Sequence, residues 1–485
     1  MGENIDLICL NAPYIPMFSR PSRSPCVTRG GTLYFPVSLG TMGSYAQENG
    51  FKVILLDAIA KKMSRQDTIE FVTSKNPKLV VVDTSTPSIH NDVEIADEIQ
   101  KKLPKSKVLL VGRHATHTPT ESLKSCRAVD AVVRREYYKP VLEILEGKDY
   151  TNVDGVSYYI DGKIKHNKDP QLVNPDDFGI LSKFFKEQLD VESYFFASIR
   201  NPYIMLQLGY GCPYGCAFCN ELVKNKWRHK SLENSLREIR FVKKHLPMVK
   251  EILWDDPTFV VDEAFMQELA NAMVDRKLKI NWSTMTRANI SLETLRIMKK
   301  SGARSMHIGL ESVSQETLNF INKGMLFEKE IEYLKNCKQI GILNHACWIL
   351  GFPGDTVESI RKTIEIAKTL PAIDSIQIFP LIPIPVEDVL DRESEGTIWS
   401  YVTKNKNLIT REYSKWLKPD GSYNCVVSYP HLSKEKIEEM IEEFYREWYY
   451  RPSYVLYKAK QSMKSFTELR RNLRGFSHMK KRTRI

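Results

Sequence analysis

Three closely spaced cysteines are the residues of this chain with the clearest chemical potential. Cys212, Cys216 and Cys219 follow an apolar, strand-like segment with the spacing C-x3-C-x2-C, in the run Leu206-Gln-Leu-Gly-Tyr-Gly-Cys-Pro-Tyr-Gly-Cys-Ala-Phe-Cys-Asn220. A [4Fe–4S] cluster usually takes four thiolates, so three from one tight loop leave the fourth iron open to a non-protein ligand. An open iron serves chemistry on a bound molecule, which electron storage alone does not need.

Zinc and disulfide alternatives fit this spacing less well. A structural zinc site needs four closed ligands, and the nearest fourth candidate, His229, lies ten residues further on in a Lys/Arg-rich stretch. A disulfide is disfavoured because three is an odd number and the chain has a cytosolic character. The other six cysteines occur singly, and most are expected to be small buried residues: Cys9, Cys26, Cys126, Cys337, Cys347 and Cys425.

The run Cys-Pro-Tyr-Gly-Cys-Ala-Phe-Cys after a strand resembles the signature of the radical SAM superfamily. The resemblance implies that the open iron is chelated by the amino and carboxylate groups of S-adenosylmethionine (SAM), with the backbone of Phe218 near the adenine. It also implies one-electron cleavage of SAM to a 5′-deoxyadenosyl radical, which takes hydrogen from an unactivated C–H carbon.

Length and composition indicate a multidomain globular protein. A chain of 485 residues is long enough for two or three domains, and 42% hydrophobic and 27% charged residues are ordinary values. No run of eighteen apolar residues occurs, and the acidic, strand-like Met1–Leu10 does not resemble a signal peptide. We therefore expect a cytoplasmic protein, where a reducing environment suits an oxygen-sensitive cluster.

The net charge of +11 comes mostly from the C-terminal tail, so it does not indicate nucleic acid as a partner. From Lys458 onward there is hardly an acidic residue. The basic residues of this tail are Lys458, Lys460, Lys464, Arg470, Arg471, Arg474, Lys480, Lys481, Arg482 and Arg484.

Residues 1–145 alternate apolar strands and helices, which predicts a doubly wound, Rossmann-like α/β domain with ligands outside the carboxyl ends of its strands. The predicted strands are Ile5–Leu10, Lys52–Asp57, Leu79–Asp83, Lys107–Gly112 and Ala131–Arg134, with helices over 38–49 and 92–102. The loops after the last three strands are small or polar, as a large flat ligand would need. No G-x-G-x-x-G or Walker A motif occurs.

Placed upstream of the cysteine motif, this domain resembles the cobalamin-binding domain of B12-dependent radical SAM enzymes, including the stretch Tyr34-Phe-Pro-Val-Ser-Leu-Gly40. The resemblance implies cobalamin contacts from the strand ends: Thr84, Ser85, Thr86, Gly112, His114, Arg135 and Glu136. The cobalt-ligating motif D-x-H-x-x-G is missing, as in the radical SAM branch generally. His90, His114 and His117 are therefore open to two interpretations, as residues near the corrin ring or as surface residues of loops.

Residues 146–200 are predicted to be a linker with a β-hairpin over Val156–Lys165, turning at Asp161-Gly162. Residues 201–390 resemble the partial (β/α)6 TIM barrel of the superfamily, with cofactor and substrate at the C-terminal strand ends. Its predicted strands are Ile204–Leu208, Lys250–Trp254, Ile280–Ser283, Ser305–Gly309, Asn344–Leu350 and Ser375–Phe379.

The barrel strand ends carry the residues that the resemblance implies for SAM. Asp255 or Asp256 would receive the ammonium through charge-assisted hydrogen bonds, with a helix N-cap as the alternative role. Arg287 would bind the carboxylate, and Glu311 and Ser312 the ribose or amino group, unless they form a structural ion pair. Gly351 and Pro353 belong to a glycine-rich stretch expected beside adenine. The segment 382–388 departs from the Pro-Gly-Thr common in relatives, on the substrate side.

Residues 391–485 are predicted to form a helical region with the basic tail. A charged helix, Lys434–Trp448, overlaps an aromatic-rich segment, which suggests either contact with an anionic membrane surface or a lid helix packed on the barrel. The aromatic residues are Phe444, Tyr445, Trp448, Tyr449, Tyr450, Tyr454 and Tyr457.

The whole layout resembles enzymes that modify hopanoid or archaeal lipids, the anaerobic porphyrin cyclase and class B radical SAM methyltransferases. It implies a [4Fe–4S] cluster, SAM, cobalamin, a flavodoxin- or ferredoxin-type reductant, and C-methylation, ring formation or rearrangement of a hydrophobic substrate. Two alternatives stay open: a methylase of protein or RNA, for which the extra cysteines and terminal β-barrel of methylthiotransferases are missing, and a non-catalytic cobalamin or redox sensor. The predicted location is cytoplasmic, with peripheral contact at the inner membrane face as an open possibility.

Overall fold

The computed structural model describes residues 5–21, 23–126, 128–389, 394–463 and 466–482. Its first part alternates strands and helices as the sequence predicts. The elements are β1 Leu7–Asn11, α1 Val37–Glu48, β2 Val53–Asp57, α2 Arg65–Lys75, β3 Leu79–Thr84, α3 Ile89–Lys102, β4 Lys107–Val111, α4 Gly112–His117, α5 Pro119–Ser125, β5 Ala131–Val133, α6 Tyr138–Leu145, β6 Val156–Ile160, β7 Lys163–His166 and α7 Leu181–Gln188.

The first sheet has the order β2-β1-β3-β4-β5-β6-β7, and β1 to β5 are parallel. This is a doubly wound order whose direction reverses between β1 and β3, where such sheets hold their ligands. The hairpin β6–β7 adds two antiparallel strands to the same sheet. The predicted hairpin is therefore present, and it extends the first sheet rather than standing apart from it.

The second part begins with β8 Tyr203–Leu206. It continues through β9 Gly209–Tyr210, β10 Arg228–His229, α8 Leu232–His245, β11 Glu251–Trp254, α9 Glu263–Asp275, β12 Trp282–Thr286, α10 Leu292–Ser301, β13 Ala303–Glu311, α11 Gln315–Phe320, α12 Phe327–Gln339, β14 Leu343–Leu350, α13 Val357–Thr369 and β15 Ser375–Pro380. Six parallel strands form a sheet in the order β15-β14-β13-β12-β11-β8, which confirms the partial (β/α)6 barrel. Strands β8 and β15 are its edges.

The inner face of this sheet borders open space. Along β15, Ser375, Gln377 and Phe379 are half-exposed, whereas the residues between them are buried. The facing pair on β14, Cys347 and Ile349, follows the same alternation. Because successive strand residues point to opposite faces, the accessible ones line a lumen inside the curved sheet. Cys347 is thus not the buried residue expected for an isolated cysteine.

The last part is helical, with α14 Ile398–Lys404, α15 Lys434–Tyr449, α16 Pro452–Ser462 and α17 Phe466–Arg482. Helix α15 packs along the edge strand β15, and Phe444, Tyr445, Trp448 and Tyr454 are buried against the barrel. Most of the C-terminal aromatic residues therefore cover the barrel, as the lid alternative predicts. Of the basic tail, Lys464 and Arg484 lie outside the described residues.

One local prediction is wrong. The segment Gly112–His117 was expected to be a loop, but it forms the short helix α4. Gly112 turns the chain with a φ of 95°, and a Cβ there would lie 2.1 Å from Oδ1 of Asp83, so only glycine fits this turn. The side chain of Thr84 then accepts a hydrogen bond from the backbone N–H of Ala115.

Candidate cofactor site between the two α/β units

The cysteine loop is held by its own backbone. The N–H of Cys212 donates to the carbonyl of Val223 at 2.9 Å, and the N–H of Cys219 donates to the carbonyl of Cys216 at 3.2 Å. Cys216 is buried, whereas Cys212 and Cys219 are half-buried. Gly211 begins the loop with a φ of 79°, where a Cβ would lie 2.5 Å from the carbonyl oxygen of Lys226. The three thiols therefore project from one tight, glycine-dependent turn.

His229 does not join the cysteines as the zinc alternative requires. Its ring lies 3.9 Å from that of Phe265 and 4.8 Å from that of Trp227, between centroids. Within the described ranges, no three His, Cys, Asp or Glu side chains are grouped closely enough to hold one metal ion. An iron–sulfur cube places its three thiolates on three different irons, so its ligands are spaced more widely than those of a single ion.

Cationic groups surround the cysteine loop. One Nη of Arg287 lies 3.5 Å from Sγ of Cys216, and its guanidinium stacks 3.9 Å from the ring centre of Tyr214. The Nζ of Lys224 donates to the carbonyl of Cys216 at 3.5 Å. Burial raises the pKa of the Cys212 thiol to about 11, so the positive charge of bound iron would be needed to hold thiolates there.

Asp255 and Asp256 follow β11 but face different surroundings. The carboxylate of Asp255 is half-buried beside the lumen and pairs with Arg23 at 3.0 Å. Asp256 is buried and accepts from the N–H groups of Leu208 and Gly209 at 2.9 and 2.6 Å. Burial raises the pKa of Asp256 to about 8, against the effect of these two donors. Asp255 is therefore better placed for a ligand, and Asp256 for fixing the start of the cysteine loop.

The N-cap alternative for these aspartates is wrong, because the following helix α9 has another cap. Asp262 precedes α9, and its side chain accepts a hydrogen bond from the N–H of Phe265. Asp255 and Asp256 lie a full loop upstream of that position.

Glu311 ends β13 in an unusual conformation. Its φ is 63°, and the β13–β14 register shifts between Gly309 and Glu311. A positive φ at a residue other than glycine costs roughly 1–3 kcal/mol and is concentrated at functional sites. The carboxylate pairs with Lys323 at 3.0 Å and is buried. Ser312 is buried next to it, and its hydroxyl accepts from the N–H of Ser314.

The predicted adenine region brings two distant segments together. The ring of Phe218 in the cysteine loop meets that of Phe352 at 5.8 Å, edge to face. Phe352 lies between Gly351 and Pro353, and Asp355 accepts from the N–H groups of Gly351 and Phe352, both at 3.0 Å. The glycine-rich stretch is thereby folded against the cysteine loop.

The predicted cobalamin residues divide into two groups. Thr84 and Gly112 meet at the carboxyl edge of the first sheet, where the Thr84 hydroxyl donates to the carbonyl of Val111 at 2.6 Å. His114 is instead buried beneath the ring of Tyr413 at 5.1 Å, and its Nδ1 lies 3.2 Å from Oγ1 of Thr86. Burial lowers the pKa of His114 to about 3, so its ring is neutral. This environment favours a packing role for His114.

Ser85, Arg135 and Glu136 are all engaged in internal contacts. The Ser85 hydroxyl lies 2.7 Å from that of Ser88. Arg135 pairs with Asp169. Glu136 pairs with Arg228 of β10 and accepts from the N–H of Val173 at 3.0 Å. Glu136 thus ties the first sheet to the antiparallel pair β9–β10, whose two strands flank the cysteine loop in sequence. Their roles toward cobalamin stay predictions.

The loop between β1 and α1, residues 12–36, joins the two carboxyl edges. Arg20 is buried and pairs with Asp92 of α3 at 2.7 Å, at the point where the first sheet reverses direction. Three residues later, Arg23 pairs with Asp255 at the barrel rim. Three residues span at most about 11 Å, so the carboxyl ends of the two sheets face each other across this loop.

Sequence reasoning missed these arginines. Arg23 and Arg113 each have a buried Nε without a hydrogen-bond partner among the described residues, and the buried hydroxyl of Tyr137 likewise has none there. Burial raises the pKa of Asp83 at the same edge to about 6. Buried hydrogen-bond donors without partners, together with a buried acid beside a glycine turn, indicate a binding site for a large polar ligand rather than a protein core, where such groups are normally paired. For Arg20 and Arg23, the signal was a set of three arginines, with Arg29, in the long, aperiodic loop after the first strand.

Two families match the chain. The radical SAM superfamily matches residues 206–367, and the B12 binding domain matches residues 25–145. The chain is a cobalamin-dependent radical SAM enzyme. The two matched segments carry the two carboxyl edges that face each other. The cofactors of this enzyme class are a [4Fe–4S] cluster, SAM and cobalamin.

One relative of this radical SAM enzyme extends over nearly the whole chain, and another over about two thirds of it. An uncharacterized methyltransferase of Pyrococcus horikoshii is 27% identical over 90% of this chain and 92% of its own length. The anaerobic magnesium-protoporphyrin IX monomethyl ester cyclase of Rubrivivax gelatinosus is 25% identical over 69% of this chain and 62% of its own length. The radical SAM methyltransferase TsrM from Kitasatospora setae, solved with cobalamin and a [4Fe–4S] cluster, shares the fold. Its TM-score is 0.63 at 14% identity, over 93% of this chain and 90% of that one.

Proposed function

We propose that this radical SAM enzyme methylates an unactivated carbon of a hydrophobic substrate held between its two α/β units. The observation that carries the proposal is the loop 12–36, whose Arg20 and Arg23 anchor it to both carboxyl edges. Two cofactor-bearing edges that face each other support transfer between groups bound on either side. The full-length relative named as a methyltransferase supports methylation in particular.

The chain's own residues would bind, orient and exclude water. When bound, the cluster, SAM and cobalamin supply electron transfer, hydrogen abstraction and the methyl group. Cys212, Cys216 and Cys219 would hold the cluster. Asp255 would bind the SAM ammonium, either while it remains paired with Arg23 or after that ion pair opens. Arg287 and Glu311 would orient the remainder of SAM, near Phe218 and Gly351. The lumen residues Gln377 and Phe379 would contact the substrate and keep water from it.

Ring formation is the second candidate, because a relative covering 69% of this chain is a cyclase. The two reactions differ in mass balance. Methylation adds one methylene unit to the substrate, whereas oxidative ring closure adds no carbon from SAM. Isotope-labelled methyl-SAM therefore separates them directly.

An external reductant is part of the proposal. Lys226 is exposed on the turn that follows the cysteine loop, and Lys224 lies beside Cys216. A cationic rim next to the cluster favours a small acidic redox protein of the flavodoxin or ferredoxin type, since opposite charges speed and orient encounter.

The test is anaerobic reconstitution of the full chain with iron, sulfide and cobalamin, followed by EPR titration with SAM. A SAM-dependent change in the cluster signal, together with 5′-deoxyadenosine release, is the expected result. Mass spectrometry of lipid and protein extracts would then search for a labelled methyl group. An unchanged cluster signal would contradict the proposal and favour a non-catalytic sensor.

A further inference from the structure

A cavity of about 360 Å³ lies at the amino-terminal end of the barrel, away from the cofactor edge. Its wall joins the beginnings of three barrel strands, at Ser305, Leu343 and Ser375, to the C-terminal helices α16 and α17. This volume lies within the usual range for sites that bind small molecules.

The cavity wall is mostly apolar and aromatic. Four tyrosines and two phenylalanines contribute to it: Tyr445, Tyr449, Tyr450, Tyr454, Phe196 and Phe476. His345 is also part of the wall, and burial lowers its pKa to about 4, so its ring carries no charge there. The buried hydroxyl of Tyr450 has no hydrogen-bond partner among the described residues. Such a wall suits an apolar ligand with few polar groups.

Helix α17 buries a basic residue and exposes apolar ones, the reverse of the usual arrangement. Arg471 faces inward and is only 7% exposed, donating to the carbonyl of Ser198 at 3.3 Å. Leu469, Leu473 and Phe476 are 37%, 60% and 52% exposed. Spaced at i, i+4 and i+7, they form one outward apolar stripe, although large apolar residues normally face the interior.

This stripe continues into the mouth of the cavity. Leu473 and Phe476 line the cavity, as does Val455 of α16, which is 54% exposed. Exposed Leu456 and Met463 extend the apolar surface. The surrounding tail from residue 458 contains ten lysines and arginines and one glutamate. An exposed apolar stripe within a strongly cationic segment is complementary to an anionic membrane surface, which offers both an apolar layer and negative charge.

The cavity also adjoins the barrel lumen. Gln377 lines the cavity and, two residues before Phe379, faces the lumen. Three strand residues, roughly 10 Å, separate Gln377 from the carboxyl end of β15. Tyr445 and Arg29 line both this cavity and the smaller pocket beside Ile378 and Phe379, and Arg29 pairs with Glu442. Asp374 is the acidic residue of the cavity wall, and it is paired with Lys338 at 2.8 Å.

We propose that α16 and α17 rest on an anionic membrane and that this cavity receives the hydrocarbon chain of a membrane lipid, which is the substrate or its anchoring part. The inference rests on the proposed function, because it names the class of hydrophobic substrate and the direction from which it reaches the lumen. The mouth residues bind the membrane, and the aromatic wall binds the chain.

The test uses reconstituted full-length protein with two kinds of vesicles, phosphatidylcholine alone and phosphatidylcholine with phosphatidylglycerol. Sedimentation measures binding, and palmitate carrying a chain diazirine reports cavity occupancy after photolysis and peptide mapping. The double variant Leu473→Glu, Phe476→Glu should weaken binding to the anionic vesicles about tenfold or more, since burying one such side chain contributes about that factor. Val274→Glu, at an exposed apolar position of α9, is the control for adding a surface carboxylate.

A second variant separates the cavity from the membrane contact. Ala459→Trp at the cavity wall leaves the charge unchanged, and it should reduce palmitate labelling without reducing sedimentation. Labels on α16, α17 or the β15 segment support the proposal. Unchanged binding of the double variant, equal binding to neutral vesicles, or labels confined to other segments would overturn it. SAM cleavage measured without vesicles reports on the proposed function separately, so either can fail alone.

Discussion

The edge strand β15 depends on two tyrosine hydroxyls, which makes a sharp prediction about the stability of the site. The hydroxyl of Tyr449 accepts from the N–H of Ile376 at 3.1 Å and donates to the same residue's carbonyl at 2.6 Å. The hydroxyl of Tyr445 does the same for Ile378, at 2.9 and 3.2 Å. One helical turn separates the tyrosines, and two strand residues separate their targets, so α15 replaces a missing neighbouring strand.

Replacing Tyr445 or Tyr449 by phenylalanine keeps the ring and removes only these bonds. Each hydroxyl makes two hydrogen bonds with a net value of about 0.5–1.5 kcal/mol apiece. The backbone groups left behind are buried, so we expect a loss of roughly 2 kcal/mol in local opening free energy. That corresponds to roughly thirtyfold faster hydrogen exchange of one backbone amide.

Hydrogen exchange read by mass spectrometry or NMR is the assay, because a chain with several domains has no single unfolding free energy. Exchange at Ile376 should increase in Tyr449→Phe, and exchange at Ile378 in Tyr445→Phe. The control is Tyr450→Phe at the C-cap of the same helix, where the hydroxyl has no hydrogen-bond partner among the described residues. Equal exchange in all three variants would refute the capping argument.

Three further predictions concern the cofactor site. Cys216→Ala should abolish iron loading, whereas Cys337→Ala, at a buried cysteine of α12, should keep it, as measured by iron and sulfide content. Lys226→Glu should slow reduction of the cluster by flavodoxin several-fold, but it should not slow reduction by dithionite. Lys105→Glu, on another exposed surface, is the control. Equal slowing with both reductants would contradict a role of Lys226 in docking. Burial raises the pKa of Asp255, and the charge of Arg23 opposes this rise. Arg23→Gln should therefore raise that pKa further and move the acid limb of the pH–rate profile of SAM cleavage to higher pH. An unmoved acid limb would exclude Asp255 as the titrating group.

The α/β alternation and the cysteine loop could be predicted because their signals are local. All eleven predicted parallel strands form within a few residues of their expected limits, and short β-branched apolar runs such as Leu79–Val82 favour buried strands. The turn before Cys212 needs glycine at position 211, and the sequence contains it. Patterns of this kind depend on neighbours along the chain.

The pairings that assemble the site could not be predicted, because they join residues far apart in the sequence. Arg23 and Asp255 are 232 positions apart, and nothing near either residue specifies the other. His114 was assigned by its place after a strand, but Tyr413 from the C-terminal region covers it. The separate roles of Asp255 and Asp256 likewise appear only when the lumen and the cysteine loop are both in place.

The same C-terminal segment resolves a conflict inherent in an open barrel. An uncovered edge strand exposes unpaired backbone groups and invites association with other chains, yet a closed edge would shut off the lumen of this enzyme from that side. Helix α15 covers the edge with side-chain hydroxyls instead of a seventh strand, and side chains pack less continuously than a backbone ladder. Space therefore remains below Tyr445, where Gln377 borders both the cavity and the lumen. The tyrosines that protect the edge are thus also the wall of the proposed lipid path, and loosening them should affect stability and substrate access together.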